Sequence, residues 1–114
     1  MARAINLQTA AATIPSGNSQ SDVINVAPLV PVGIILPAAW TAAALTFLVS
    51  VDGNNFYPLQ DMSAEVSAVV TAGQYMALDP AIFIGIIAFK LRSGTAALPV
   101  NQAADRTFML VSKV

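Results

Sequence analysis

Residues 44–59 read ALTFLVSVDGNNFYPL. Leu45, Phe47, Val49 and Val51 alternate with Thr46, Leu48 and Ser50, the period of two that sends successive side chains to opposite faces of a strand. The face carrying Phe47 is expected to be the buried one. Asp52, Gly53, Asn54 and Asn55 follow, residue types that tolerate the backbone of a tight hairpin turn. Residues 56–60 then return as a second arm. Pro58 has no amide donor to give a neighbour, which assigns that arm to the outside of a sheet.

The same rhythm runs through the rest of the chain: short apolar runs of strand length, punctuated by Pro, Gly, Asn, Asp and Ser at intervals of about ten residues. Residues 4–13 begin in alternation, with Ile5 and Leu7 against Asn6 and Gln8, and 16–21 form a polar loop. Residues 22–26 make a short strand. The run 30–36 ends at Pro37, and Pro31 confines it to an edge or restricts pairing to its second half. Residues 37–43 are either a helical turn or, the reading preferred here, a loop crossing between sheets, with Trp40 packed over a sheet end and its indole N–H seeking an acceptor.

Residues 65–71 and 74–78 are expected to pair around Ala72-Gly73. The run 82–87 is apolar on both faces and predicts a strand covered from two sides. From Ala88 alternation resumes, with Phe89 and Leu91 pointing in and Lys90 and Arg92 out. Residues 93–95 turn, 96–100 form a short strand, and 106–114 close the sheet. Eight to ten strands without a convincing helix define an all-β fold: two packed antiparallel sheets, a sandwich of jelly-roll type, with an eight-stranded barrel as the nearest competitor. A single domain over residues 1–114 is expected, with 1–14 as an extended N-terminal arm able to pair with the open sheet edge of a neighbour.

Composition narrows the chemistry. The chain of 114 residues has 10% charged and 56% hydrophobic residues, against about 25% and about 45–50% in ordinary soluble domains. A lone domain this poor in charge lacks the polar cover that keeps molecules apart, which implies that other chains bury part of its exterior. Five Lys plus Arg and a net charge of −1 provide no basic stripe for phosphate, so nucleic acid is not an expected partner. There is no His and no Cys, which removes the commonest general base, the thiolate nucleophile and the usual zinc ligands. Residues 26–49 are long and apolar enough to cross a bilayer. Pro28, Pro31 and Pro37 interrupt them, no Lys or Arg cluster flanks them, and the first residues lack the apolar run of a secretory signal, so no membrane association is expected.

Three groups of residues and one arginine invite a chemical reading, each beside a structural one. Asp52, Asn54, Asn55 and Asp61 are oxygen donors of the type calcium accepts, yet they lack the alternating spacing of a calcium loop and are ordinary turn residues. Asp22, Asp52, Asp61, Glu65, Asp79 and Asp105 are the carboxylates available for a glycosidase-like pair, and nearly all fall in loops or at strand ends. Trp40, Tyr57 and Tyr75 have rings that stack on sugars or anchor a core or interface. Arg92 either clamps a carboxylate of a neighbouring chain or, the preferred reading, caps a turn. No catalytic residue, cofactor site or metal site is assigned.

The succession Val32-Gly33-Ile34-Ile35-Leu36-Pro37-Ala38-Ala39-Trp40, Leu45-Thr46-Phe47-Leu48-Val49-Ser50-Val51-Asp52-Gly53, Phe89-Lys90-Leu91-Arg92-Ser93-Gly94-Thr95 and Pro99-Val100-Asn101-Gln102-Ala103-Ala104-Asp105-Arg106 resembles small structural proteins encoded among the virion genes of tailed bacteriophages. The resemblance implies a non-enzymatic virion protein, a capsid decoration or cement protein or a head or tail accessory subunit. Its implied partners are other virion proteins, such as a major capsid protein, and further copies of itself. A strand ending in Ser-x-Asp-Gly followed by an aromatic is also similar to jelly rolls of the galactose-binding and discoidin type. That second likeness implies a carbohydrate-binding module with a glycan ligand.

Overall fold

The computed structural model describes residues 7–113. Along the chain lie β1 (Leu7–Ile14), β2 (Ile24–Asn25), β3 (Val30–Ile35), β4 (Ala44–Ser50), β5 (Tyr57–Pro58), β6 (Ser67–Val69), β7 (Tyr75–Ala77), the helical turn α1 (Pro80–Phe83), β8 (Ala88–Ser93) and β9 (Arg106–Lys113). One sheet has the order β1-β9-β3-β7 and the other β2-β8-β4-β5, with β6 beside β5 on the same flank of β4.

The pairing follows a nested pattern. β1 pairs with β9, β2 with β8, β3 with β7 and β4 with β6, all antiparallel, as in one long folded ribbon. Rolling that ribbon brings β3 against β9 and β4 against β8. The product is a two-sheet jelly roll. Among the described residues no strand belongs to both sheets, so the architecture is a sandwich and not the competing barrel.

Alternation sets the core. From the first sheet Ala12, Ile14, Ile34, Phe108 and Leu110 point inward, and from the second Ile24, Leu45, Phe47, Phe89 and Leu91 meet them. Phe47, Phe89 and Phe83 of α1 pack at ring-centroid distances of 5.3 to 6.1 Å, the separation at which edge-to-face contacts are favourable. Residues 37–43 do cross from one sheet to the other. Trp40 sits over the sheet end with its ring edge-on to Phe108 at 5.4 Å, and its Nε1–H donates to the Ala43 carbonyl at 3.0 Å.

Several elements differ from expectation for identifiable reasons. β3 is interior rather than an edge, but only Gly33, Ile34 and Ile35 pair with β7, and a register shift between Pro31 and Gly33 absorbs the proline on the β9 side. β6 and β7 do not pair with each other. The turn between them is clamped to the end of β3, with Gly73 N–H donating to the Pro37 carbonyl and Leu36 N–H to the Gln74 carbonyl, both at 2.8 Å, so the chain changes sheets there. Residues 82–87 are not a strand. Asp79 accepts the Ala81 amide at 3.0 Å and Pro80 opens the first turn, so the run starts helically, as an Asp N-cap before Pro favours.

The 96–100 segment bends around a single bridge, Gly94 to Pro99, without forming a strand. The final strand forms as expected, as β9, and it fills the middle of its sheet. Val51, expected on the buried face, is 70% exposed, because β4 ends at Ser50. The second arm of the hairpin is an outer strand as Pro58 requires: β5 is two residues long and lies on the flank of β4. Of the anticipated N-terminal arm, Leu7–Ile14 pair with β9 of the same chain; residues 1–6 lie outside the described residues.

Candidate docking face

The Asp-Gly-Asn turn folds upon itself. Ser50 Oγ accepts the amides of Asp52 and Gly53 and donates to Asp52 Oδ1 at 3.0 Å. Asp52 Oδ1 also accepts the Asn54 and Asn55 amides at 2.8 Å each, and Oδ2 accepts the Asn55 side-chain amide at 2.7 Å. Those donors, the Asn55 amide foremost, hold the Asp52 carboxyl far below the usual carboxylate range. Asp61 builds its own turn with Ser63 and Ala64 and is lowered for the same reason, the Ser63 amide first. The oxygen donors proposed for calcium are thus split between two self-contained turns.

The remaining carboxylates are engaged in the same way. Asp22 accepts the Thr13 amide, Asp105 the Ser16 amide, Asp79 the Ala81 amide and Glu65 the Ala96 amide. Each of the six therefore holds a backbone N–H from a loop or strand end, and the structure brings no two of them together across a cleft lined for catalysis. Arg92 does clamp a carboxylate, but one of its own chain. It lies on the outer face of β8, only 5% exposed. There it donates from Nη2 to Glu65 and from Nε to Thr46 Oγ1 at 3.0 Å, and Thr46 donates onward to the Gly94 carbonyl at 2.7 Å.

Sequence reading assigned no role to Gln102, which is 1% exposed. Its Nε2 donates to the Thr41 carbonyl at 3.0 Å and to Ser93 Oγ at 2.7 Å, while its Oε1 accepts the Thr41 amide at 2.9 Å and Arg106 Nε at 3.0 Å. The amide thereby ties the 37–43 crossing to β8 and β9. Among the described residues every buried side-chain nitrogen and oxygen has a partner.

The aromatic candidates separate. Trp40 is half-buried in the core edge described above, whereas Tyr57 and Tyr75 are 59% and 55% exposed on different sheets. Tyr75 belongs to a larger surface that the strand registers define. Tyr75, Ile35, Met109 and Ala11 stand opposite one another across all four strands of the first sheet, and Ala77, Gly33, Val111 and Thr9 form the adjacent row. Ile34, Leu110 and Ala12 fill the core face, so these two rows point outward.

Directly opposed residues share a face, and among those that the registers put on this outer side Lys113, at one corner, is alone in carrying charge. The Tyr75 ring lies over Gly33: a Cβ there would fall 1.8 Å from the Tyr75 hydroxyl. Beside Tyr75 a groove of about 330 Å³ opens between Leu36, Val69, Thr71, Gln74 and Met76. The signal for this face is present in β9, where Met109 and Val111 make the second side of the strand as apolar as the Phe108–Leu110 side; recognising it requires knowing that β9 is central.

Fold and surface together define a small jelly-roll sandwich with one largely apolar outer sheet face that carries charge only at the Lys113 corner. No protein-family profile matches the chain, and no curated protein matches it. Among solved structures it is similar to the SPBc2 prophage-derived protein YomS, at 12% sequence identity and a TM-score of 0.61, over 100% of this chain and 99% of that one. The two share a fold from end to end.

Proposed function

We propose that this chain is a non-enzymatic structural subunit of a tailed-phage particle, a capsid decoration protein or a head-associated accessory subunit. It docks through the outer face of the four-stranded sheet onto other virion proteins and further copies of itself. The observation that carries this reading is the face itself: two full rows across four strands with no charged residue, on a chain whose carboxylates are all committed to its own backbone. Burial of such a face against a protein lattice is favourable by about 25 cal/mol per Å² of apolar surface removed from water. Repetition of a modest contact across many lattice points then yields strong retention. The fold shared with a prophage-derived protein supports the phage setting.

The test is a mass-spectrometric inventory of purified particles from a lysogen or lysate carrying the gene. The chain is expected at a fixed stoichiometry to the major capsid protein. Its absence from intact particles, with the protein abundant in the soluble fraction, overturns the proposal.

A further inference from the structure

We infer that the outer edge of β1 is a self-pairing edge, which joins two copies antiparallel about a two-fold axis at Thr9. This rests on the proposed association between copies and names its surface. Of the other strands at a sheet margin, β2 and β5 have two residues, β6 and β7 have three, and β5 contains Pro58. Short or proline-bearing edges are the usual protection against strand addition. β1 differs: eight residues, LQTAAATI, with neither charge nor proline. Among the described residues no strand pairs with its outer side.

The direction of its backbone groups follows from one hydrogen bond. The Thr13 amide donates to Asp22 Oδ1 at 3.1 Å and so points away from β9. In an antiparallel ladder every second residue shares that orientation, so Leu7, Thr9 and Ala11 also present their N–H and C=O outward. Asp22 closes the edge at Thr13, and residues 7–11, exposed throughout, remain open.

A second copy fits this segment. Pairing centred on Thr9 sets Leu7 against the partner's Ala11 and Thr9 against the partner's Thr9. All outward groups of the three residues are then satisfied, and Leu7, 48% exposed, gains a small neighbour. No charge meets a like charge. The axis stands perpendicular to the sheet, so both outer faces lie on one side; the Thr9 row continues through eight strands, while the Ala11 row runs on into the partner's Leu7 and the partner's Lys113. A contact of this length buries less than the roughly 1,000 Å² of a stable interface, so association is weak in dilute solution and strengthens when both faces engage a lattice.

The chain has no cysteine, which makes a single introduced thiol a clean reporter. Thr9→Cys is expected to cross-link with a short bis-maleimide at least about tenfold faster than Met62→Cys, a fully exposed control whose reaction reports random collision. Sedimentation equilibrium of the unmodified chain is expected to show a mass rising towards a dimer with concentration. Thr9→Pro removes an outward donor without touching the β9 ladder, and Ala11→Lys adds a charge on the edge. Both are expected to stay monomeric, and Ala11→Lys decides the matter if Thr9→Pro lowers the melting temperature. A monomer up to about 1 mM, where contacts worth some 4 kcal/mol become visible, overturns the inference. So does association that Ala11→Lys leaves intact, or cross-linking at position 9 no faster than at 62. None of these results bears on whether the protein is found in particles.

Discussion

Gln102, itself buried, uses all of its amide's hydrogen-bonding capacity on the buried Ser93 hydroxyl and on half-buried Thr41 and Arg106. Gln102→Ala is therefore expected to strand the Thr41 backbone and the Ser93 hydroxyl without partners, at a cost of about 2–4 kcal/mol in a urea-unfolding measurement. Glu65→Ala has a related effect, since it leaves the Arg92 guanidinium buried with its charge unpaired; a loss of about 3 kcal/mol is expected by the same method. Asp52 behaves differently because it is exposed. Its folded-state pKa is depressed by the amides it accepts, so its contribution is complete above the unfolded carboxylate value and is lost as pH falls through and below about 4. The melting temperature of the native chain is expected to drop over that window, and Asp52→Asn is expected to flatten the drop while lowering stability at neutral pH. A parallel displacement of the two pH profiles refutes this assignment.

At the scale of elements, the loop that follows β8 depends on one backbone conformation. Gly94 has φ +89°, and a Cβ there would lie 2.4 Å from the Leu98 carbonyl oxygen. Gly94→Ala thus meets both left-handed strain and a backbone clash, and is expected to cost at least about 2 kcal/mol of unfolding free energy. The turn expected at Ser93-Gly94-Thr95 falls later: Ser93 still belongs to β8, Gly94 bridges to Pro99, and the chain reverses between Thr95 and Leu98. β4 and the Asp-Gly-Asn corner were legible from their residue types alone, as was the outer placement forced by Pro58. What could not be read was where each run goes once formed. The 65–71 and 74–78 runs have good hairpin grammar, yet their turn is captured by Pro37 and Leu36, contacts far away in the chain. Residues 82–87 show the opposite failure: apolarity argued for a strand, while Asp79-Pro80 already specified a helical start. That local signal was present and outweighed.

For the whole molecule, the composition correctly pointed to apolar surface left over, but its location depended on the order of strands. Alternation turns Met109 and Val111 outward wherever the strand lies; they stand in the middle of the face because β9 lies between β1 and β3, and an end strand would have placed them at a margin. If the outer face docks on a particle, Ile35→Glu, at a position 43% exposed, is expected to leave the melting temperature within about 2 °C of the parent while reducing copies per particle at least about tenfold. Equal occupancy measured by quantitative gel densitometry would move the contact to another surface.

The nesting of partners also bears on how the chain is made. β1 leaves the ribosome early and its companion in the sheet is translated last among the described strands, so the first sheet has no stable precursor during synthesis. Until β9 arrives, β1 has no partner in its sheet and β3 has only β7, and closure across nearly the full described length is the slow kind of contact. Fresh copies made side by side on one message would meet in that interval, when an unfilled strand is most receptive to the wrong chain. Asp22, which holds the Thr13 amide in the folded chain, is translated well before β9 and is available to shorten the exposed target.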